Sequence, residues 1–122
     1  MLLCRGVRGA ITIEENTKAA IESATIELLE EMVKRNQIDI DMLASAFFAV
    51  TPDITAAFPP TAARKIGWHD VPLLNCMEMS ADDGLTLCIR VLLHWNTTKA
   101  NTEIKHIYLR EAAKLRPDLT QN

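Results

Sequence analysis

The apolar positions along the chain change rhythm several times, and each change predicts an element. Leu2 to Ile13 alternates, with Leu3, Arg5, Val7, Gly9, Ile11 and Ile13 on one face and Cys4, Gly6, Arg8, Ala10 and Thr12 on the other, which predicts a strand. Gly6 and Gly9 inside it predict a bulge or a close backbone approach. The period then lengthens. Ile21, Ala24, Leu28 and Met32, flanked by Ile26, Leu29 and Val33, repeat at helical spacing, opposite Glu22, Glu27, Glu30, Glu31, Lys34 and Arg35. Asn16 or Thr17 can cap this helix, Asn36 can stop it, and Glu30 with Lys34 forms an i,i+4 pair. After a short connection, Leu43 to Val50 reads as a second strand, broken by Thr51-Pro52-Asp53. Phe58-Pro59-Pro60 leads a covering loop into helical turns over Ala62 to Ile66, with Pro60 near the first position. Val71 to Met79 predicts a third strand ending near Glu78. Asp82-Asp83-Gly84 then signals a turn into the run Leu87 to Leu93. A hairpin of these two strands would bring Glu78 and Arg90 together. Ile104 to Leu109 is strand-like, Glu111 to Leu115 favours helix, and Arg116-Pro117-Asp118-Leu119 forms a closing turn. Strand, helix and then several strands, with no repeat or linker, make an α+β domain spanning residues 1–122.

The run Leu87-Cys88-Ile89-Arg90-Val91-Leu92-Leu93 does not alternate, so it predicts a strand covered on both faces. Arg90 inside it is an expense, because a guanidinium does not deprotonate and its burial requires an anion. That anion is either a structural carboxylate or a ligand. Arg8 poses the same question more weakly: it stands among small residues, either over a cavity or as a solvated edge.

Composition removes most alternatives. The 122 residues carry a net charge of -3 and no basic stripe, so nucleic acid is not an expected partner. No apolar run reaches membrane length and Arg5 interrupts the first one, so neither a span nor a signal peptide is expected and the location should be cytoplasmic. Cys4, Cys76 and Cys88 are too few and too scattered for a disulfide frame, and His69, His94 and His106 show no ligand spacing, so no metal is expected. There is no G-x-S-x-G elbow, no P-loop and no complete dinucleotide fingerprint, hence no expected cofactor. What remains is Arg8, Arg64, Arg90 and Arg116 with Tyr108 and Glu78, a set suited to carboxylate-bearing small molecules. Such a set binds, orients and stabilises charge without a nucleophile. A domain this small also tends to bury surface against other copies.

Seven segments in order, Arg5-Gly6-Val7-Arg8-Gly9-Ala10, Thr51-Pro52-Asp53, Ala57-Phe58-Pro59, Val71-Pro72, Cys88-Ile89-Arg90-Val91, His106-Ile107-Tyr108-Leu109 and Leu115-Arg116-Pro117-Asp118-Leu119, resemble the monofunctional trimeric chorismate mutases over nearly the whole chain. The resemblance implies a mixed five-stranded sheet packed on one long helix. Three subunits would close into a pseudo-α/β barrel with sites between neighbours, and the segment His106 to Leu115 would continue as a strand. It implies the Claisen rearrangement of chorismate to prephenate, with no cofactor and no covalent or acid–base step. By the same resemblance Arg90 donates to the breaking ether oxygen and to a carboxylate, and Glu78 accepts from the ring hydroxyl and offsets cationic character in the ring. Arg8 and Tyr108 grip carboxylates. Phe58, Leu73, Leu74 and Asn75 form a wall, Leu115 joins the binding set, and Arg64 and Arg116 stand at the mouth. The Phe58 loop would come from the neighbouring subunit. Thr61 replaces a lysine common in the family, and Leu74-Asn75 replaces a Thr-Cys pair, so Cys76 is not the family cysteine. A non-catalytic trimer binding anionic metabolites and an imine deaminase of similar architecture are the competing readings.

Overall fold

A computed structural model describes residues 1–80 and 84–119 of the chain. It contains β1 (Leu3–Thr12), α1 (Lys18–Asn36), β2 (Leu43–Val50), α2 (Pro59–Lys65), β3 (Leu73–Met77), β4 (Cys88–Thr97) and β5 (Ile107–Leu109), with short 3-10 turns between and after them. The strands form one mixed sheet in the order β3-β2-β4-β1-β5. β4 runs antiparallel to both its neighbours, while β3 joins β2 and β5 joins β1 in parallel.

Each long element follows from its residues. Thr17 caps α1 by accepting from the Ala20 amide at 3.1 Å, satisfying one of the donors every helix start leaves over. Gln37, in the left-handed conformation, closes its far end. The i,i+4 ion pair on its wet face is Glu31 with Arg35. Asn36 does more than stop the helix. Buried, it donates to the carbonyls of Met32 and Lys105 and accepts the Lys105 amide, tying α1 to the chain that enters β5. Pro59 and Pro60 occupy the first positions of α2, where a missing N–H costs nothing.

The core lies between α1 and one face of the sheet. Ile21, Leu28, Leu29 and Met32 pack on Val7, Ile11, Phe48, Ile89 and Leu93. Gly9 lets the two layers approach: a Cβ there would run into Met32 Sδ, so the predicted close approach is real at this glycine.

Three expectations need correction. β3 and β4 are not a hairpin. β3 pairs with β2 at the sheet edge, and β4 lies between β2 and β1. Sequence proximity favours a hairpin, but a central β4 satisfies its backbone on both sides; Asp82 and Asp83 of the expected turn lie outside the described residues. Next, β4 is covered along its length on one face only; on the other, Cys88 at its start is buried with Ala10 and Ala112. Ile89, Val91, Leu93 and Trp95 are buried, whereas Arg90, Leu92 and His94 are half-buried on the other face. Finally, His106 to Leu115 does not continue as a strand. β5 stops at Leu109, which pairs with Ile11, because β1 itself ends at Thr12 and offers no further backbone. Arg110 then takes a φ of 56°, its guanidinium donates to the Thr12 carbonyl, and the Glu111 amide donates to Thr12 Oγ1. Residues Arg110–Leu115 form a 3-10 helix, closer to their local propensity.

Candidate active site

Arg90 sits in the middle of the sheet, level with Ala49 of β2, which in turn is level with Cys76 of β3. Glu78 follows β3 immediately, held by its own amide donating to the Val50 carbonyl at 2.7 Å. This register carries Glu78 to Arg90 without a hairpin: Oε1 lies 2.8 Å from Nε. The Nε–H is not aimed at the carboxylate, so the contact is an ion pair rather than a directed hydrogen bond. The Arg90 side chain is still 43 % exposed. It therefore has a structural carboxylate and also reaches open space. Behind it Cys88 is buried, and burial pushes its thiol up to about 11.

That open space is a cavity of about 440 Å³. Arg90, Arg8, Tyr108, Arg116 and Leu115 line it, with Cys76, Phe47 and Leu92 among the other walls. Arg8 and Tyr108 arrive together because β5 pairs with β1, Ala10 opposite Tyr108, which puts both side chains on the open face. The Arg8 amide donates to His106 Nδ1 at 3.0 Å. Burial, together with the Arg8 and Arg116 cations, holds His106 below its ordinary range. Arg116 donates to both oxygens of Asp118, from Nε at 3.1 Å and from Nη2 at 2.9 Å. That contact holds the Asp118 carboxyl below the usual carboxylate range. Three guanidiniums and a phenol around one cavity suit a small molecule with more than one carboxylate. Among the described residues no group of histidines, cysteines and carboxylates is placed to hold a metal.

The other residues expected at the site do not join this cavity within one chain. Phe58 is 70 % exposed and lines a separate cavity of about 350 Å³ with Asn75, Thr61 and Glu22. Asn75 is level with the buried Phe48, so its side chain leaves on the helix-covered face, while Leu74 and Cys76 leave on the open one. Asn75 Oδ1 is buried with no hydrogen-bond partner among the described residues. Arg64 is exposed on α2, Leu73 is half-buried against the core, and Leu74 is exposed. Sequence reasoning missed the cavity walls Phe47, Cys76 and Leu92, and it missed His106. Cys76 lines the cavity, and only the pairing of β3 with β2 reveals it. The ring of His106 caps the Arg8 amide, and no spacing rule points to a histidine acting as an acceptor for a distant strand.

Comparison with known proteins gives the family of the chain. The family described as chorismate mutase type I matches residues 4–119. Chorismate mutase AroH of Thermus thermophilus is 51 % identical over 118 residues, covering 96 % of this chain and 97 % of that protein. Chorismate mutase AroH of Bacillus subtilis (strain 168) is 37 % identical over 120 residues, covering 98 % and 94 %. The solved structure of a chorismate mutase from Clostridium thermocellum matches the fold with a TM-score of 0.87 at 41 % identity, covering 89 % of this chain and 97 % of that one.

Proposed function

The chain belongs to the type I chorismate mutase family, and from that premise we propose that it converts chorismate to prephenate in the cavity lined by Arg8, Arg90 and Tyr108. The reaction is a unimolecular rearrangement. The protein's task is to hold the enolpyruvyl arm over the ring and to meet the negative charge that grows on the ether oxygen as the C–O bond breaks. In this reading Arg90 is the donor to that oxygen. Glu78 steadies the guanidinium and accepts from the ring hydroxyl. Arg8 and Tyr108 take carboxylate oxygens, Leu115 adds apolar contact and Arg116 guards the mouth. No proton changes hands, so kcat should stay nearly flat across neutral pH.

The observation that carries this reading is the double situation of Arg90, paired with Glu78 at 2.8 Å yet still open to a cavity with further cations. A residue serving only a structural carboxylate gains nothing from facing Arg8.

The same reading makes the working molecule a homotrimer of single-domain chains. One subunit leaves Phe47, Leu74 and Phe58 exposed, with Asn75 Oδ1 lacking a donor among the described residues. Phe58, Arg64, Leu73, Leu74 and Asn75 then wall the neighbour's Arg90 cavity, with sites between subunits. A cytoplasmic location belongs to the proposal; among the described residues no helix is long and apolar enough to cross a membrane. The alternatives, an anion-binding trimer without activity or an imine deaminase, have no support from the relatives above, all of which are chorismate mutases. The direct test is to add chorismate and follow its ultraviolet absorbance. Rapid loss with prephenate as product is expected, and an unchanged spectrum would exclude the assignment.

A further inference from the structure

We infer that His106 is a positioning residue for the carboxylate-binding side of the cavity, its neutral ring fixing Arg8 by accepting that residue's backbone amide. The inference rests on the assignment of Arg8 to a substrate carboxylate.

The geometry is specific. The backbone pairing of β1 with β5 begins at Gly9 opposite Ile107, so the Arg8 amide lies just beyond the first rung. His106, the residue before β5, supplies the missing acceptor from its side chain, Nδ1 to amide nitrogen 3.0 Å. An imidazole nitrogen accepts only when it carries no proton, which places the ring proton on Nε2. The imidazolium has two donors and no acceptor, so protonation would break this contact and turn two N–H groups against each other.

The charges around the ring act in the same sense. Arg8 faces it from β1, and Arg116, with its Asp118 counter-ion, faces it from the C-terminal turn; Tyr108 shares its face of β5. A cationic ring would be a third positive group in the place where two guanidiniums already stand. Protonation would release the Arg8 amide and loosen the grip on a ligand carboxylate, so the neutral ring is the form that serves binding.

Three measurements on the intact protein test this. First, the His106 ring resonances are followed by NMR against pH, with and without saturating prephenate. The neutral Nε2–H tautomer is expected at neutral pH both without and with prephenate; the Nδ1–H tautomer, or an imidazolium in the prephenate complex at neutral pH, overturns the inference. Second, H106N is compared with H106L. Asparagine places an acceptor near the position of Nδ1 and does not titrate, so H106N should keep KM within about twofold. H106L should raise KM about three- to tenfold, the scale of one hydrogen bond, with a smaller change in kcat. An H106L enzyme with unchanged KM, or with a loss confined to kcat, overturns the inference. Should H106L not fold, the NMR titration and H106N still decide. Third, R8Q separates the two layers of argument. If R8Q binds prephenate as well as the unaltered protein, the carboxylate assignment fails. If R8Q weakens binding and H106L does not, only the role of His106 fails.

Discussion

Arg90 has to satisfy two demands with one side chain, and its environment shows how. Glu78 steadies the charge from the Nε side, and the cavity keeps the guanidinium available. Replacing it by lysine keeps the charge but loses the planar fork. Arg90→Lys should give a folded protein that still binds prephenate, with kcat down at least about 10²-fold, the usual scale for one lost transition-state donor. Steady-state kinetics check this, and a near-normal kcat would mean that Arg90 serves Glu78 alone. His106 makes a different prediction, for stability. Its folded pKa lies below the ordinary value, so its contribution is complete above the unfolded pKa and is lost as pH falls through the folded one. Stability should therefore begin to drop below about pH 6.5, the ordinary histidine value, before carboxylates titrate. Urea unfolding between neutral and mildly acid pH should show the drop, and H106N should remove it. At this scale the sequence pointed to Arg90 and Arg8, because charge is visible as an exception to an apolar or small-residue pattern, while the roles of Glu78 and Tyr108 came with the family resemblance. Cys76 and His106 carried no such exception. Their roles depend on register and ring tautomer, which composition does not encode.

Among the elements, α1 and β1 were the most legible. A helical period over 19 residues and a period-2 run of strand formers each point to one kind of element. The pairing of β3 was not legible, because two neighbouring apolar runs with a turn between them look the same whether they pair with each other or with a third strand. The length of β5 was not legible either, since the end of β1 limits it. The contact between α1 and β1 offers a sharp test of packing. A methyl at Gly9 meets the Met32 sulfur and approaches the end of the Leu28 side chain, both flexible but both inside a closed layer. Gly9→Ala should cost about 1–3 kcal/mol, the usual price of overpacking. In a Met32→Ala background much of that cost should vanish, because the space opens at the same point; denaturant midpoints of the two single variants and the double variant measure the coupling.

The whole molecule presents an open sheet face as well as a buried one. Phe47 and Leu74 are exposed there, beside the half-buried Leu92 and the Arg90 cavity, and Phe58 projects from the loop before α2. We expect light scattering to report a trimer, and specific activity to fall on dilution as subunits separate; a fully active monomer would refute shared sites. The chain order of the sheet has a further consequence, for how the molecule reaches this state. β4 is its centre, yet it occupies Cys88–Thr97, late in the chain. β1 and β2 lie on either side of it and are not paired with each other. A nascent chain that has emerged only as far as α2 thus holds two strands and two helices, without the strand that belongs between β1 and β2. The long helix α1 can form early on its own propensity, but the sheet must wait for the centre to arrive and then close loops of tens of residues at once. Folding should accordingly be slow for a chain of this size, in the millisecond-to-second range of non-local topologies. It should also be nearly all-or-none, with amides of β1, β2 and β4 gaining protection together in pulsed hydrogen exchange while those of α1 gain it sooner.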